Sequence, residues 1–340
     1  MSERLIIAGD IGGTKTILQL IAVGDNQIVS ERRYDSQSYS EFDELLAGFL
    51  CENLCRGKNI ANACVGVAGP VNTYPGYQTA KVTNLPWKLD TRRLKQQFDF
   101  RRFQLINDFQ AVGYGVTTLN ASDLIELQRG NSQAFKPKLV VGAGTGLGVT
   151  LLVWNGQFYE VFPSEGGHTD FAPADELQKQ LLDHLQKQFG HVSYERIVSG
   201  PGLVSVYRFL KEINLARESE IVNQELGQFD PAAVISKYAK LDDPLAKRAM
   251  TLFISIYGAQ TGNLALMTLP FSGIYIAGGI APKIVEQIQT GTFLDAFADK
   301  GRMSPLLKSI PIHVVMNTKV GLIGAANLGS IEKNIINTIP

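Results

Sequence analysis

Two apolar runs joined by a glycine-rich turn occur at residues 5–23 and again at residues 139–154, and this repeated unit constrains the fold more than any other feature. In the first copy LIIA leads through Gly-Asp-Ile-Gly-Gly-Thr-Lys into a second apolar run over residues 16–23. In the other, LVV leads through Gly142-Ala143-Gly144-Thr145-Gly146-Leu147-Gly148 into VTLLVW. Apolar runs of this length broken by glycine read as strand, turn, strand, and two copies about half a chain apart point to a duplicated fold. Between them CVGVA (64–68) and FQLI (103–106) read as buried strands, while residues 40–53 and 91–98 have helical periodicity. Strands alternating with helices give an α/β layer. Past residue 172 the pattern is mainly helical, over 175–189, 202–213, 230–239 and 244–269. A strand and turn at 274–280 then precede a helix from Ala281, a strand at 308–315 and a closing helix at 321–331.

At 340 residues the chain exceeds what one hydrophobic core supports, so two domains are expected. No low-complexity tract or Pro/Ser-rich linker separates them, which leaves a short crossover near residues 113–119. The expected division is a small α/β domain of residues 1–116 with 319–340 and a large α/β domain of residues 117–318.

The 32 basic and 32 acidic residues balance, and no basic block stands out, so nucleic acid and anionic membrane are not expected partners. Small molecules are. Cys51, Cys55 and Cys64 follow no zinc or redox spacing and read as structural thiols of a reducing cytoplasm. The opening MSERLIIAGD lacks the apolar region of a signal peptide, so export is not expected. Residues 249–282 carry no charge, but Gln260, Thr261, Asn263, Pro270 and several glycines favour a helix buried on most sides over a membrane span.

A phosphate tail needs converging backbone N–H groups with no side chains in the way, and a Gly-Gly turn between strands offers that. Gly12-Gly13-Thr14-Lys15 is neither a P-loop nor a dinucleotide fingerprint, because Thr14 precedes Lys15 and a strand, not a helix, follows. A plain hairpin turn is the competing reading. Asp10 beside it suits Mg²⁺, directly or through water, or is an ordinary turn aspartate. Thr14 and Lys15 face phosphate oxygens, unless Lys15 is a solvated strand residue. The second turn, with Gly144, Thr145 and Gly146, suits the β- or γ-phosphate, and Gly278-Gly279 suits the adenosine end.

Asn107-Asp108 follows a buried strand, where α/β ligands sit. Asp108 is there either a base for a hydroxyl proton or the N-cap of the next helix. Residues 163–170 gather Glu165, His168 and Asp170 around a Gly-Gly turn, suited to hydrogen-bonding a polyhydroxy ligand; a metal reading lacks a cysteine cluster. Taken by itself, Glu195 reads as a surface helix charge.

Taken in order, GDIGGT (9–14), IND (106–108), GAGTGLG (142–148), EGGHTDFAP (165–173), GHVSYERIVSGPGL (190–203) and IAGGI (276–280) resemble the bacterial glucokinase family over essentially the whole chain. This is the zinc-free group of the actin, hexokinase and heat-shock ATPase superfamily. The resemblance implies a two-domain actin-like ATPase (ribonuclease H-like) α/β fold with duplicated βββαβα-type cores. ATP and glucose would occupy a cleft that closes on sugar binding, in a cytoplasmic homodimer. It further implies that Asp108 is the catalytic base, that Asn107, Asp108, Glu165, His168 and Glu195 bind the sugar, and that Gly12, Gly13, Gly144 and Gly146 form the phosphate turns. Thr14-Lys15 stands where many relatives carry Thr-Asn, which leaves the role of residue 15 open. The cysteine-rich zinc motif of the related repressor and sugar-kinase family is missing, so ATP and Mg²⁺, without zinc, are the expected cofactors.

The expected reaction moves the γ-phosphoryl group of ATP to the 6-hydroxyl of glucose, giving glucose 6-phosphate and ADP. The alternatives are a kinase for fructose or mannose, a polyphosphate-dependent glucokinase, and a sugar-sensing regulator without turnover. The regulator needs a DNA-binding segment, and a strand beginning at Leu5 with no basic face argues against one. A chaperone-like ATPase needs a peptide-binding extension for which the chain has no space.

Overall fold

A strand that is apolar on both faces must be covered on both, and in the computed structural model β1 (Leu5–Ile11) is buried at every residue but Asp10. The structure describes residues 5–23, 27–54 and 60–330, so Cys55 and the final residue of the expected closing helix lie outside the described residues. These residues divide into two compact units. One runs to Leu119 and resumes at Lys319, and the other is Asn120–Thr318.

In the first unit β1, β2 (Lys15–Ala22) and β3 (Ile28–Asp35) form an antiparallel meander. Helix α1 (Phe42–Leu54) leads to β4 (Ile60–Val67), which lies parallel to β1. A small sheet of β5 (Val71–Tyr74), β6 (Tyr77–Lys81) and β7 (Lys88–Asp90) follows, then α2 (Thr91–Phe98), β8 (Arg102–Asn107) parallel to β4, and α3 (Asp108–Val116). The main sheet has the order β3-β2-β1-β4-β8. Phe42, Leu45 and Phe49 of α1 and Leu94 of α2 join the core formed by Leu5, Ile7, Leu18 and Val65. On the sheet's other residues, Gly329 of the last described helix, Val320–Ser330, approaches Ile6 and Cys64. Burial pushes the Cys64 thiol up to about 12, which makes it an inert core group.

In the second unit β9 (Leu124–Gln128) precedes the meander β10 (Lys138–Ala143), β11 (Leu147–Trp154) and β12 (Tyr159–Ser164). Helices α4 (Glu176–Phe189), α5 (Gly200–Glu212), α6 (Glu220–Leu226), α7 (Pro231–Lys240) and α8 (Pro244–Thr268) come next, then β13 (Ile274–Ala277). The short helices α9 (Val285–Ile288), α10 (Thr292–Ala298) and α11 (Ser304–Lys308) lead into β14 (Ile312–Val315). The sheet order is β12-β11-β10-β13-β14-β9, with β13 and β14 parallel to β10 and β9 added antiparallel at the edge. An antiparallel meander followed by two parallel strands thus occurs twice, which is the duplicated ribonuclease H-like arrangement.

Several readings of the sequence change. The expected strand over 308–315 begins only at Ile312, since Ser304–Lys308 is a helical turn and Pro311 intervenes. After Ala281 the chain makes a 3₁₀ turn and one α-turn rather than a longer helix. The β5–β7 sheet escapes a hydrophobic pattern because its strands are short, largely polar and only partly buried. It is fastened instead by Gln78, whose amide donates to Leu105 O at 2.9 Å and accepts from Leu105 N at 3.0 Å. A side chain thereby supplies the hydrogen bonds of a missing neighbour strand along β8. The uncharged stretch is largely α8, with 15 of its 25 residues buried, so it is a core helix. Among the described residues no helix is long and apolar enough to cross a membrane.

Helix α3 and the Val320–Ser330 helix meet backbone to backbone: a Cβ on Gly115 would fall on Val320 O, and one on Gly324 on Ala111 O. Close packing here fixes the helix that begins at Asp108. Gly324→Ala should therefore lower stability by about 1–3 kcal/mol through overpacking. Gly48→Ala, in α1 with open space around it, should raise stability by about 0.5–1 kcal/mol. Denaturant midpoints of the two variants check this, and equal midpoints would contradict it.

Candidate active site

The first unit gathers Asp10, Gly12, Gly13, Thr14, Asn107 and Asp108 at the same ends of β1 and β8. Between β1 and β2 the turn closes with Gly12 N donating to Lys15 O at 2.9 Å. Ser36 holds it from behind, donating Oγ to Gly12 O at 2.9 Å and its N–H to Thr14 O at 3.0 Å. The buried Thr16 hydroxyl lies 2.9 Å from Ser36 Oγ. Gly13 is tightly placed, since a Cβ there would stand 3.0 Å from Thr83 O. Thr14 is exposed and Lys15 half-buried.

Asp10 pairs with Gly66 of β4, and a Cβ on Gly66 would lie 3.8 Å from the Asp108 Cα. This bare strand position lets α3 start close above the sheet. Burial and the neighbouring Asp108 carboxylate push the Asp10 carboxyl up to about 6, with Lys15 opposing. Asp108 reaches solvent from a recess, and incomplete hydration there raises its carboxyl above the ordinary 3.8, partly offset by the hydrogen bond from Phe109 N.

The helix cap falls on Asn107, not on Asp108. Asn107 is the N-cap of α3, its Oδ1 accepting from Phe109 N at 2.9 Å and Gln110 N at 3.3 Å. Asp108 is the first helical residue, and its Oδ1 also accepts from Phe109 N at 2.8 Å. Asn107 Nδ2 donates to Gly69 O at 3.2 Å, and the same side chain hydrogen-bonds the Asp108 carboxylate, holding its carboxyl down.

Within the second unit, Gly144, Thr145 and Gly146 form the turn between β10 and β11, with Gly144 N donating to Gly146 O at 2.8 Å. Gly200 N, at the start of α5, donates to Gly144 O at 2.8 Å, and Ile280 N donates to Ala143 O at 3.2 Å. The turn after β13 therefore abuts this one. Gly278 has φ +83°, and a Cβ there would strike Ala143 O, whereas Gly279 faces open space. Only glycine serves at 278.

Glu165, His168 and Glu195 converge in the same unit. His168 Nε2 lies 3.8 Å from Glu165 Oε2 and 3.8 Å from Glu195 Oε1. Glu195 Oε2 accepts from Leu147 N at 2.8 Å and occupies the space a Gly146 side chain would need. Glu195 thus connects the glycine turn to the loop over 165–170. That loop is not free: Tyr159–Ser164 is strand, Gly166–His168 a 3₁₀ turn, and a Cβ on Gly167 would fall on Leu147 O. Asp170 bridges to Ser193 and pairs with His191. Among the described residues no group of three or more His, Cys, Asp and Glu could hold a metal ion.

Reading the sequence missed the residues that brace these turns. Ser36, Tyr257 and Gln260 act on backbone 24, 116 and 94 residues away, a separation at which local patterns carry no signal.

The family model described as Glucokinase matches residues 7–330. The glucokinase of Nostoc sp. (strain PCC 7120) is 47% identical over 343 residues, spanning 95% of this chain and 98% of that one. Among solved structures, a glucokinase from an Antarctic psychrotroph has a TM-score of 0.81 at 28% identity, covering 97% of this chain and 99% of its own. The glucokinase of Balamuthia mandrillaris in complex with glucose has a TM-score of 0.77 at 24% identity, covering 96% and 94%, and so shares the fold. With glycine turns, carboxylates and fold all of one pattern across nearly its full length, this chain belongs to the glucokinase family.

Proposed function

We propose that this chain transfers the γ-phosphoryl group of ATP to the 6-hydroxyl of glucose, giving glucose 6-phosphate and ADP. The observation that carries the proposal is the division of labour at α3: Asn107 caps the helix, which leaves the Asp108 carboxylate at the helix start with an oxygen to spare. As the sugar oxygen bonds to the γ-phosphorus and the bond to ADP breaks, Asp108 takes the hydroxyl proton. Glu165, His168, Glu195 and Asn107 bind and orient the sugar hydroxyls. Orientation, more than covalent chemistry, lowers the barrier in phosphoryl transfer.

The turns built on Gly12-Gly13 and Gly144-Thr145-Gly146 hold the phosphates through the N–H groups of Gly13 and Gly146 and the hydroxyls of Thr14 and Thr145, while Gly12 and Gly144 close the turns through Lys15 O and Gly146 O, and Gly278-Gly279 receives the adenosine end. Asp10 fits a divalent cation: its raised carboxyl, facing a second carboxylate and opposed by one lysine, is an electrostatic deficit that a cation would relieve. Asp10 would hold Mg²⁺, directly or through water, and the ion would offset phosphate charge. Lys15 tempers the Asp10 carboxylate. The domains assigned are residues 1–116 with 319–340 and residues 117–318, the enzyme works as a cytoplasmic homodimer, and sugar binding excludes water as a competing acceptor.

Asp108→Asn keeps the hydrogen bond from Phe109 but cannot take a proton, so kcat should fall by roughly 10²–10⁴-fold while the glucose KM stays within a few-fold. Near-normal kcat would remove Asp108 as the base. In the wild-type enzyme, kcat/KM for glucose should rise with pH as Asp108 ionises. Because its carboxyl is raised, that acid limb should lie above the ordinary 3.8 and vanish from the residual activity of Asp108→Asn. A limb unchanged by the substitution would assign it to another group.

A further inference from the structure

The geometry points to Gln260 as a positioning residue for the sugar-binding loop, and to α8 as the common support of that loop and the glycine turn after β10. The inference rests on the reading of Glu165, His168 and Glu195 as the glucose site.

Gln260 lies in the middle of the uncharged stretch and is 2% exposed. A buried amide is costly unless it is hydrogen-bonded, so its presence there needs a partner. Both donors are used: Nε2 donates to Gly166 O at 3.0 Å and to Thr169 Oγ1 at 3.1 Å. Thr169 Oγ1 in turn donates to Gly166 O at 2.9 Å. One amide therefore ties down both ends of the turn that carries His168. Asn263 Nδ2 donates to Gln260 Oε1 at 3.4 Å and to Tyr194 OH at 3.0 Å. Tyr194 precedes Glu195, and its N–H donates to Thr169 O at 3.0 Å. The two segments that present His168 and Glu195 are thus fixed to each other and to one face of α8.

A pocket of about 560 Å³ that opens to solvent, lined in part by Phe162, Gly166, Thr169, Leu264 and Met267, adjoins the loop, so a loop released from Gln260 has space to move into. Three residues earlier on α8 the buried Tyr257 OH accepts from Ala143 N at 3.2 Å and donates to Val141 O at 3.1 Å. Positions three apart share a helix face. One face of α8 therefore sets the sugar loop through Gln260 and the phosphate turn through Tyr257, which makes the two supports separable by substitution.

The test compares steady-state kinetics of Gln260→Met, Tyr257→Phe and His168→Ala with the wild type, on protein shown folded by circular dichroism. Loss of one buried hydrogen-bond set predicts a glucose KM raised about tenfold in Gln260→Met, with the ATP KM within twofold. Tyr257→Phe should show the opposite split, raising the ATP KM and sparing the glucose KM. If Gln260→Met does not fold, Asn263→Leu, at a half-buried position, should give the same split with a smaller rise of about threefold. Equal shifts in both KM values, or none, from the α8 variants while His168→Ala raises the glucose KM would overturn the positioning role and leave the sugar site standing. An unchanged glucose KM in His168→Ala would sink the sugar-site reading and this inference with it.

Discussion

A turn that offers its backbone N–H groups to a ligand cannot also use side chains of its own to hold its shape. That constraint is met twice in this chain, each time by polar groups brought from elsewhere. Around Gly12 to Thr14 the work falls to Ser36, whose hydroxyl and N–H engage two carbonyls of the turn while its Oγ meets the buried Thr16 hydroxyl. Around Gly144 to Gly146 it falls to Tyr257, Gly200 and Glu195. Both turns can stay bare because their supports are hydrogen-bonded and the chief ones, Ser36 and Tyr257, are buried, where a low-dielectric interior makes those bonds firm.

The carboxylates obey a related logic. Asp10 and Asp108 lie where hydration is incomplete, and the Asp108 carboxylate disfavours ionisation of Asp10, an arrangement that costs stability in the isolated protein and favours cationic or proton-donating partners. The helix that starts at Asp108 is fixed by Asn107 at one end and by the glycine contacts of the Val320–Ser330 helix along its length. The residue proposed to take the sugar proton thereby leaves the capping of its helix to its neighbour. Glu195 does the reverse, keeping one oxygen on Leu147 N and the other toward His168.

Much of this was legible in the sequence because strong local patterns coincide with structure. Apolar runs broken by glycine located both hairpins, and the approach of Gly278 to Ala143 O explains why glycine stands at that position. The pair Asn107-Asp108 was ambiguous because either residue caps a helix well, and only the hydrogen bonds of Asn107 separate their roles. Glu195 looked like a surface charge because the Leu147 N–H it accepts lies 48 residues away. The β5–β7 sheet and the supports on α8 were illegible for the same reason. Their stability comes from single side-chain amides and hydroxyls reaching distant backbone, not from any periodicity. Gln260 and Asn263 could be recognised in the sequence as polar interruptions of an apolar helix, but not for what they hold.

The central claim is that this site phosphorylates glucose with ATP. The most direct measurement is ADP release from ATP and Mg²⁺ in the presence of glucose, mannose, fructose, N-acetylglucosamine or no sugar, with glucose 6-phosphate quantified alongside. The account predicts strong release with glucose, matched one for one by glucose 6-phosphate, and little without sugar. Folded protein that releases no ADP with any of these sugars, or releases it equally without sugar, would contradict it.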